Sequence, residues 1–253
     1  MNLRFALLLS LVFLSPVAAQ DEDLPPDEVA DLIDLYVERG GESLRQGSYD
    51  EAKLRFQKAL EKSPGHRGAR LGVVAADMAV GEYDKAMAQL EKLFADHPGD
   101  REGRVIKARI HLLRGKDASA RETLREVLKT GGEGPDLVGL DARIVLAEAL
   151  ARRGKRDEAR DVLDHFIKLY EDRREMLAEQ AFNADRLRLD PAKGRPISRE
   201  MTLIGRALRI YVELSPLDYN YADNAIELLG YAREIDPENW DAAIEYVRVF
   251  RVE

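Results

Sequence analysis

The 253-residue chain contains no cysteine, one tryptophan and four histidines, and beyond its first twenty residues it has no long apolar run. Without cysteine there is no disulfide, no thiol nucleophile, no thiolate metal site and no lipid attachment at an N-terminal Cys. Stability must therefore come from packing alone. The spacings that carry common chemistries are missing as well: there is no H-E-x-x-H, no G-x-S-x-G and no glycine-rich phosphate loop. No enzyme activity, cofactor or metal is expected. Runs of β-branched residues are scarce while Ala, Leu, Glu and Arg abound, so the expected class is all-α.

The first twenty residues, MNLRFALLLSLVFLSPVAAQ, have a different character. Arg4 precedes an apolar run from Phe5 to Leu14, and Pro16-Val17-Ala18-Ala19 supplies small residues before Gln20. This layout predicts a signal peptide over 1–19, since the run is about half the ~20 residues of a membrane span. A periplasmic or extracellular location follows, with no transmembrane segment after cleavage. Removing 1–19 leaves 38 basic and 47 acidic side chains, a net charge of −9. A chain so acidic is a poor partner for nucleic acid.

What the sequence does have is repetition. Gly47, Tyr49, Asp50, Ala52, Ala59 and Pro64 return 34 residues later as Gly81, Tyr83, Asp84, Ala86, Leu93 and Pro98. Gly115, Asp117, Ala120, Leu124 and Val127 form a third copy. After an insertion at Gly131–Pro135 come Gly154, Asp157, Ala159, Leu163 and Phe166, and a weaker copy runs to Pro237. Each unit reads as two helices. Gly47 ends the first, Ser48 and Glu51 read as a capping box, and Ala52, Phe56, Ala59 and Leu60 make one apolar stripe. Pro64-Gly65 stops the second helix, and Asp100 is the expected N-cap of a later one. One hairpin cannot bury its stripe alone, so the units must stack.

These residues resemble the tetratricopeptide repeat (TPR) family, strongly over 33–170 and weakly over 206–253. The resemblance implies a right-handed α-solenoid whose first helices line a concave groove for a protein or peptide partner. Carried onto this chain, the groove positions are Val37, Gly41 and Leu44, then Leu71, Ala75 and Met78, then Val105, Arg109 and Leu112, then Ile144 and Glu148. The chaperone-binding subfamily grips a carboxylate with Lys and Asn, but the matching positions here are Val37, Gly41, Gly72, Glu102 and Ile106, so that clamp is absent. A competing expectation is that the groove is filled by the chain's own segments, such as 20–32.

The expected organisation is a signal peptide (1–19), an acidic linker (20–32), four repeats (33–173), an irregular helix and linker (174–197), and a degenerate hairpin plus final helix (198–253). Asp157–Leu189 lacks Gly and Pro and predicts one long helix or two, and the cluster from Asp190 to Pro196 predicts a break before a helix from about Ser198. Trp240 opens a sixth unit that stops at Glu253, one residue before its turn glycine. His66 and His97 fall in inter-repeat turns, where exposed turn residues are expected rather than a metal pair. Asp218–Asp223 resembles a calcium loop without its Gly and closing Glu, and reads as a polar connection. Residues 101–129 carry nine basic side chains against four acidic ones, expected as a solvated helix face. The leading expectation is a non-catalytic scaffold of the cell envelope. The alternative is the repeat region of a larger exported enzyme, such as a peptidase.

Overall fold

A computed structural model of the protein describes residues 25–131, 136–215 and 220–250; the expected signal peptide and Asp218-Tyr219 lie outside the described residues. Among the described residues there are twelve helices and no strand: α1 (Pro26–Arg45), α2 (Tyr49–Lys62), α3 (Arg67–Ala79), α4 (Tyr83–Asp96), α5 (Arg101–Leu113), α6 (Asp117–Lys129), α7 (Leu137–Ala151), α8 (Arg156–Phe182), α9 (Ala184–Arg188), α10 (Pro191–Leu214), α11 (Asn220–Ile235) and α12 (Trp240–Val249). They pair as hairpins α1–α2, α3–α4, α5–α6, α7–α8 and α10–α11, and each hairpin packs on the next.

The turns inside the first four hairpins share one geometry. Gly47, Gly81, Gly115 and Gly154 take φ between 70° and 77°, the left-handed region that a side chain would strain. The residue after each glycine donates its N–H back over the helix end, as Ser48 does to the Ser43 carbonyl (2.9 Å) and Glu82 to Asp77 (2.8 Å). This is the Schellman closure, and it satisfies carbonyls the helix would leave open. Asp100 caps α5 as expected, accepting the Gly103 N–H at 2.7 Å. Ser48 does not form the expected capping box. It stands at the N-cap of α2, but its side chain makes no capping bond.

Two boundaries differ from the sequence reading. The acidic segment expected as a linker through residue 32 is helical from Pro26. Proline at the first helical position loses no bond, and Asp27 and Glu28 in the first turn favour the positive end of the helix dipole. The break expected over 190–197 is also helical. Pro191 opens α10, and Pro196 lies in its second turn, where it removes one backbone bond. Gly194 is there for a packing reason: a Cβ would stand 2.5 Å from the Leu187 carbonyl oxygen, so the α9–α10 corner closes only around glycine. Residues 174–197 thus form the end of α8, α9 and the start of α10.

The core follows the repeat. Ala52, Ala86, Ala120 and Ala159 are wholly buried at the helix crossings, and Phe56, Leu90, Leu124 and Leu163 are buried four residues on. In the first hairpin the large residue is a phenylalanine, and glycines replace its neighbours. A Cβ on Gly72 would stand 2.4 Å from the Phe56 ring, and one on Gly40 2.8 Å.

Titratable groups tie this packing to pH. Burial pushes the Asp100 carboxyl up, but the Arg67 guanidinium and the Gly103 N–H outweigh it and hold it below the usual carboxylate range. His111 and His165 are held down, first by burial and then by nearby cations, Lys107 for His111 and Arg143 for His165. Groups depressed in the fold stabilise it fully above their ordinary values, and that stabilisation disappears as pH falls through the folded ones. The melting temperature is therefore expected to fall in two stages on acidification, from about pH 6.5 for the histidines and from about pH 4 for the carboxylates. Glu200, raised by burial against the pull of Arg173, opposes the second stage. Thermal melts by circular dichroism check this, and Asp100→Asn should shrink the second stage.

Candidate partner-binding groove

In the stack, first helices approach one another (α1–α3, α5–α7 and α7–α10), whereas among the described residues no comparable approach joins α2, α4 and α6. The array therefore curves towards its first helices, which is the face where the sequence places a groove. Val37 and Leu44 sit on α1, Leu71, Ala75 and Met78 on α3, Val105, Arg109 and Leu112 on α5, and Ile144 and Glu148 on α7.

The structure divides these residues into two sets. Val37, Leu44, Leu71, Ala75 and Met78 are half-buried; Val37 and Leu44 pack on a cluster of α2 and α3 residues, and Leu71 and Met78 on one of α3, α4 and α5 residues. Val105, Leu112 and Ile144 are buried in the same core as Leu203, Ile210 and Leu208 of α10. The charged pair is committed too. Arg109 bonds Asp141 across α5–α7, and Glu148 accepts from Arg206 Nη2 at 2.6 Å.

The element responsible is α10. Its neighbour α8 has 27 residues, about twice the length of α2, α4 or α6, so the chain runs past the end of the hairpin before α9 turns it back. The first half of α10 returns along this extension, joined to it by the Arg173–Glu200 ion pair with Leu177 and Met201 buried between. Arg199 then reaches past α7 to Glu102 of α5 at 3.4 Å, and Glu102 also holds Arg67 of α3 at 2.9 Å. At the far end Glu238, in the turn before α12, lies 3.8 Å from Arg45 of α1. Among the described residues the chain fills part of its own groove with α10; of the segment 20–32 considered for that place, residues 20–24 lie outside the described residues and those from Pro26 onward belong to α1.

The basic run at 101–129 is dispersed by the same packing. Arg101 forms a two-pronged pair with Asp136 (3.0 and 2.6 Å), Lys107 meets Glu91, Arg114 meets Asp84, and Lys129 meets Glu126. The two turn histidines have local tasks. The His66 Nδ1 accepts the Ala69 N–H at the start of α3, and the His97 Nε2 lies 3.2 Å from the Gly65 carbonyl oxygen. The open part of the groove is thus an apolar strip on α1 and α3, about 10 Å long from Val37 to Leu44 and from Leu71 to Met78 at 1.5 Å per residue. Charged groups border it at Arg67, Glu102 and the Arg45–Glu238 contact.

Among sequence families, a tetratricopeptide repeat model matches residues 43–110 and 78–140, and a second one matches 140–165. No curated protein matches the chain. Among solved structures, a thermophilic TPR protein of Thermus thermophilus, TTC0263, superposes with a TM-score of 0.53 at 16% identity, covering 87% of this chain and 99% of that one. The pilF protein of Pseudomonas aeruginosa superposes with a TM-score of 0.50 at 17% identity, covering 89% of this chain and all of that one. At these identities the likeness concerns the fold.

Proposed function

Because the chain is a tetratricopeptide-repeat protein, we propose that it is a non-catalytic scaffold of the cell envelope that holds a partner polypeptide on the first-helix face of α1 and α3. One observation carries the reading: apolar side chains at five groove positions remain accessible there, while the rest of the groove is sealed by the chain itself. A strip two helices wide suits a short helical or extended segment with a few apolar anchors. The export half of the proposal rests on the leader at 1–19. No helix among the described residues is long and apolar enough to cross a membrane.

The division of the groove makes the reading testable residue by residue. Leu71→Glu places a charge on the open strip, and is expected to keep the wild-type melting curve while reducing partner recovery at least tenfold in a cross-linking pull-down from envelope fractions. Leu112→Glu buries its charge in the core and is expected to fail through the fold instead. Wild-type recovery by a stable Leu71→Glu protein, or a mature chain outside the envelope fraction that does not begin at Gln20, would count against the proposal.

A further inference from the structure

The corner where α8 passes through α9 into α10 presents two bulky apolar side chains to solvent. Phe182, at the end of α8, is 92% exposed and Leu189, just past α9, is 84% exposed, the highest values among the large apolar residues described. Helical phase sets the side they occupy. Leu177, Ala181 and Ala184 are buried and Leu187 is half-buried, a spacing of four, three and three that continues through the joint at Asn183. Phe182 and Leu189, seven residues apart, therefore share one side, turned away from that stripe and about 10 Å from each other. The corner is firmly built, with described helices on both sides of it. Asn183 Nδ2 donates to the Glu179 carbonyl at 2.8 Å, and α9 packs on α8, α10 and α11.

Charge sets this corner apart from the rest of the chain. From Phe182 to Arg195 four basic side chains (Arg186, Arg188, Lys193, Arg195) stand against two acidic ones (Asp185, Asp190), in a chain whose net charge is −8. Both acids are taken up within their own turns, Asp185 by Arg188 and Asp190 by Lys193, each at 2.7 Å. Arg186 makes no ion pair among the described residues, and Arg195 has only a loose one, 3.5 Å from Glu238. Upstream, Glu175 and Glu179 face one further cation, Arg174, so the stretch 174–195 still holds five basic residues against four acidic.

We propose that this corner docks the protein on an anionic lipid surface. Phe182 and Leu189 enter the boundary between headgroups and acyl chains, and Arg186 and Arg195 lie among the lipid phosphates. Protruding apolar side chains flanked by unpaired cations match the layering of such a surface, apolar within and anionic outside. A protein partner fits less well. Two side chains offer about 300–400 Å² of apolar contact, roughly half of what one side of a stable protein interface buries. The corner is separate from the α1–α3 strip, so the two readings stand or fall independently.

Residues 20–253, which keep every described residue and omit the apolar leader, are sedimented with vesicles of phosphatidylglycerol and phosphatidylcholine in equal parts. Binding is expected, and should weaken about tenfold or more on phosphatidylcholine alone and fall as salt is raised. The double variant Phe182→Gln, Leu189→Gln should lose binding by a similar factor with an unchanged melting curve, since both sites are exposed. Leu71→Glu should bind vesicles as the wild type does. No sedimentation with the anionic vesicles, equal binding to both kinds, or undiminished binding by the double variant overturns the proposal. A dimer in lipid-free solution that the double variant abolishes overturns it in favour of a second copy.

Discussion

Replacing Phe56 with alanine is expected to lower the unfolding free energy by about 3–5 kcal/mol, the range for truncating a buried aromatic side chain. The ring is 3% exposed and lies between α1 and α3, against two glycines that leave room for nothing else. The cavity would open between hairpins, so contacts within the first hairpin and between it and the second are lost together. The apolar packing of α1–α3 is with adjacent helices, and its link to the far end is the exposed Arg45–Glu238 pair, so hydrogen exchange should accelerate across α1–α3 far more than across α7–α11. The glycines supply a second test. Gly72→Ala in a helix interior would ordinarily gain up to about 1 kcal/mol, but here the added carbon meets the ring, and a loss of about 1–3 kcal/mol is expected. Combined with Phe56→Leu, the residue size found in the other three hairpins, that loss should largely vanish. Denaturant melts of the four proteins give the coupling.

Glu245→Ala is expected to be comparably severe, about 3–5 kcal/mol, because it strands cations inside the protein. Glu245 is 4% exposed and accepts from Arg209 Nε at 2.8 Å and Arg248 Nη1 at 2.7 Å, with Arg206 Nε 3.7 Å away. Arg209 is itself buried and also meets Glu213, and Arg206 continues the network to Glu148 on α7. One carboxylate thus helps join α7, α10 and α12. Removing it leaves Arg209 with a single half-solvated partner. Replacing Arg209 and Glu245 together by methionine and leucine should recover most of the loss, since a buried pair seldom outperforms well-packed apolar groups. Trp240 emission and denaturant melts follow the detachment of α12.

The repeat is legible in the sequence because its determinants are local. A glycine required at positive φ, an alanine at a helix crossing and a large residue one turn later each leave a mark at fixed spacing. Asp100 as a cap belongs to this class. Ser48 shows the limit: the residue type suits an N-cap, yet the hydroxyl makes no bond there. The α8–α10 region departs from its sequence reading because proline and glycine have more than one use. Pro191 and Gly194 have the look of chain breakers, but one starts a helix and the other admits a neighbouring carbonyl. The groove residues come from the repeat register, which places a side chain on a face without saying what covers that face. Sealing of the α5–α7 half depends on Leu203, Leu208 and Ile210 of α10 joining its core, and the Arg199–Glu102 contact across 97 residues belongs to the same tertiary event, which has no local signature. A hint is present nonetheless. LVGLDARIVLAEALA in α7 is apolar nearly all round, and such a helix is buried on every side.

If partners are held on the open α1–α3 strip, side chains there must lie against them in the cell. Photo-activatable side chains introduced singly at Leu44, Leu71 and Met78, with Leu54 on the outer side of α2 as reference, test this in intact cells. The prediction is a discrete polypeptide adduct from all three strip positions and none from Leu54. Adducts from Leu54 alone, or equally from every position, would contradict it.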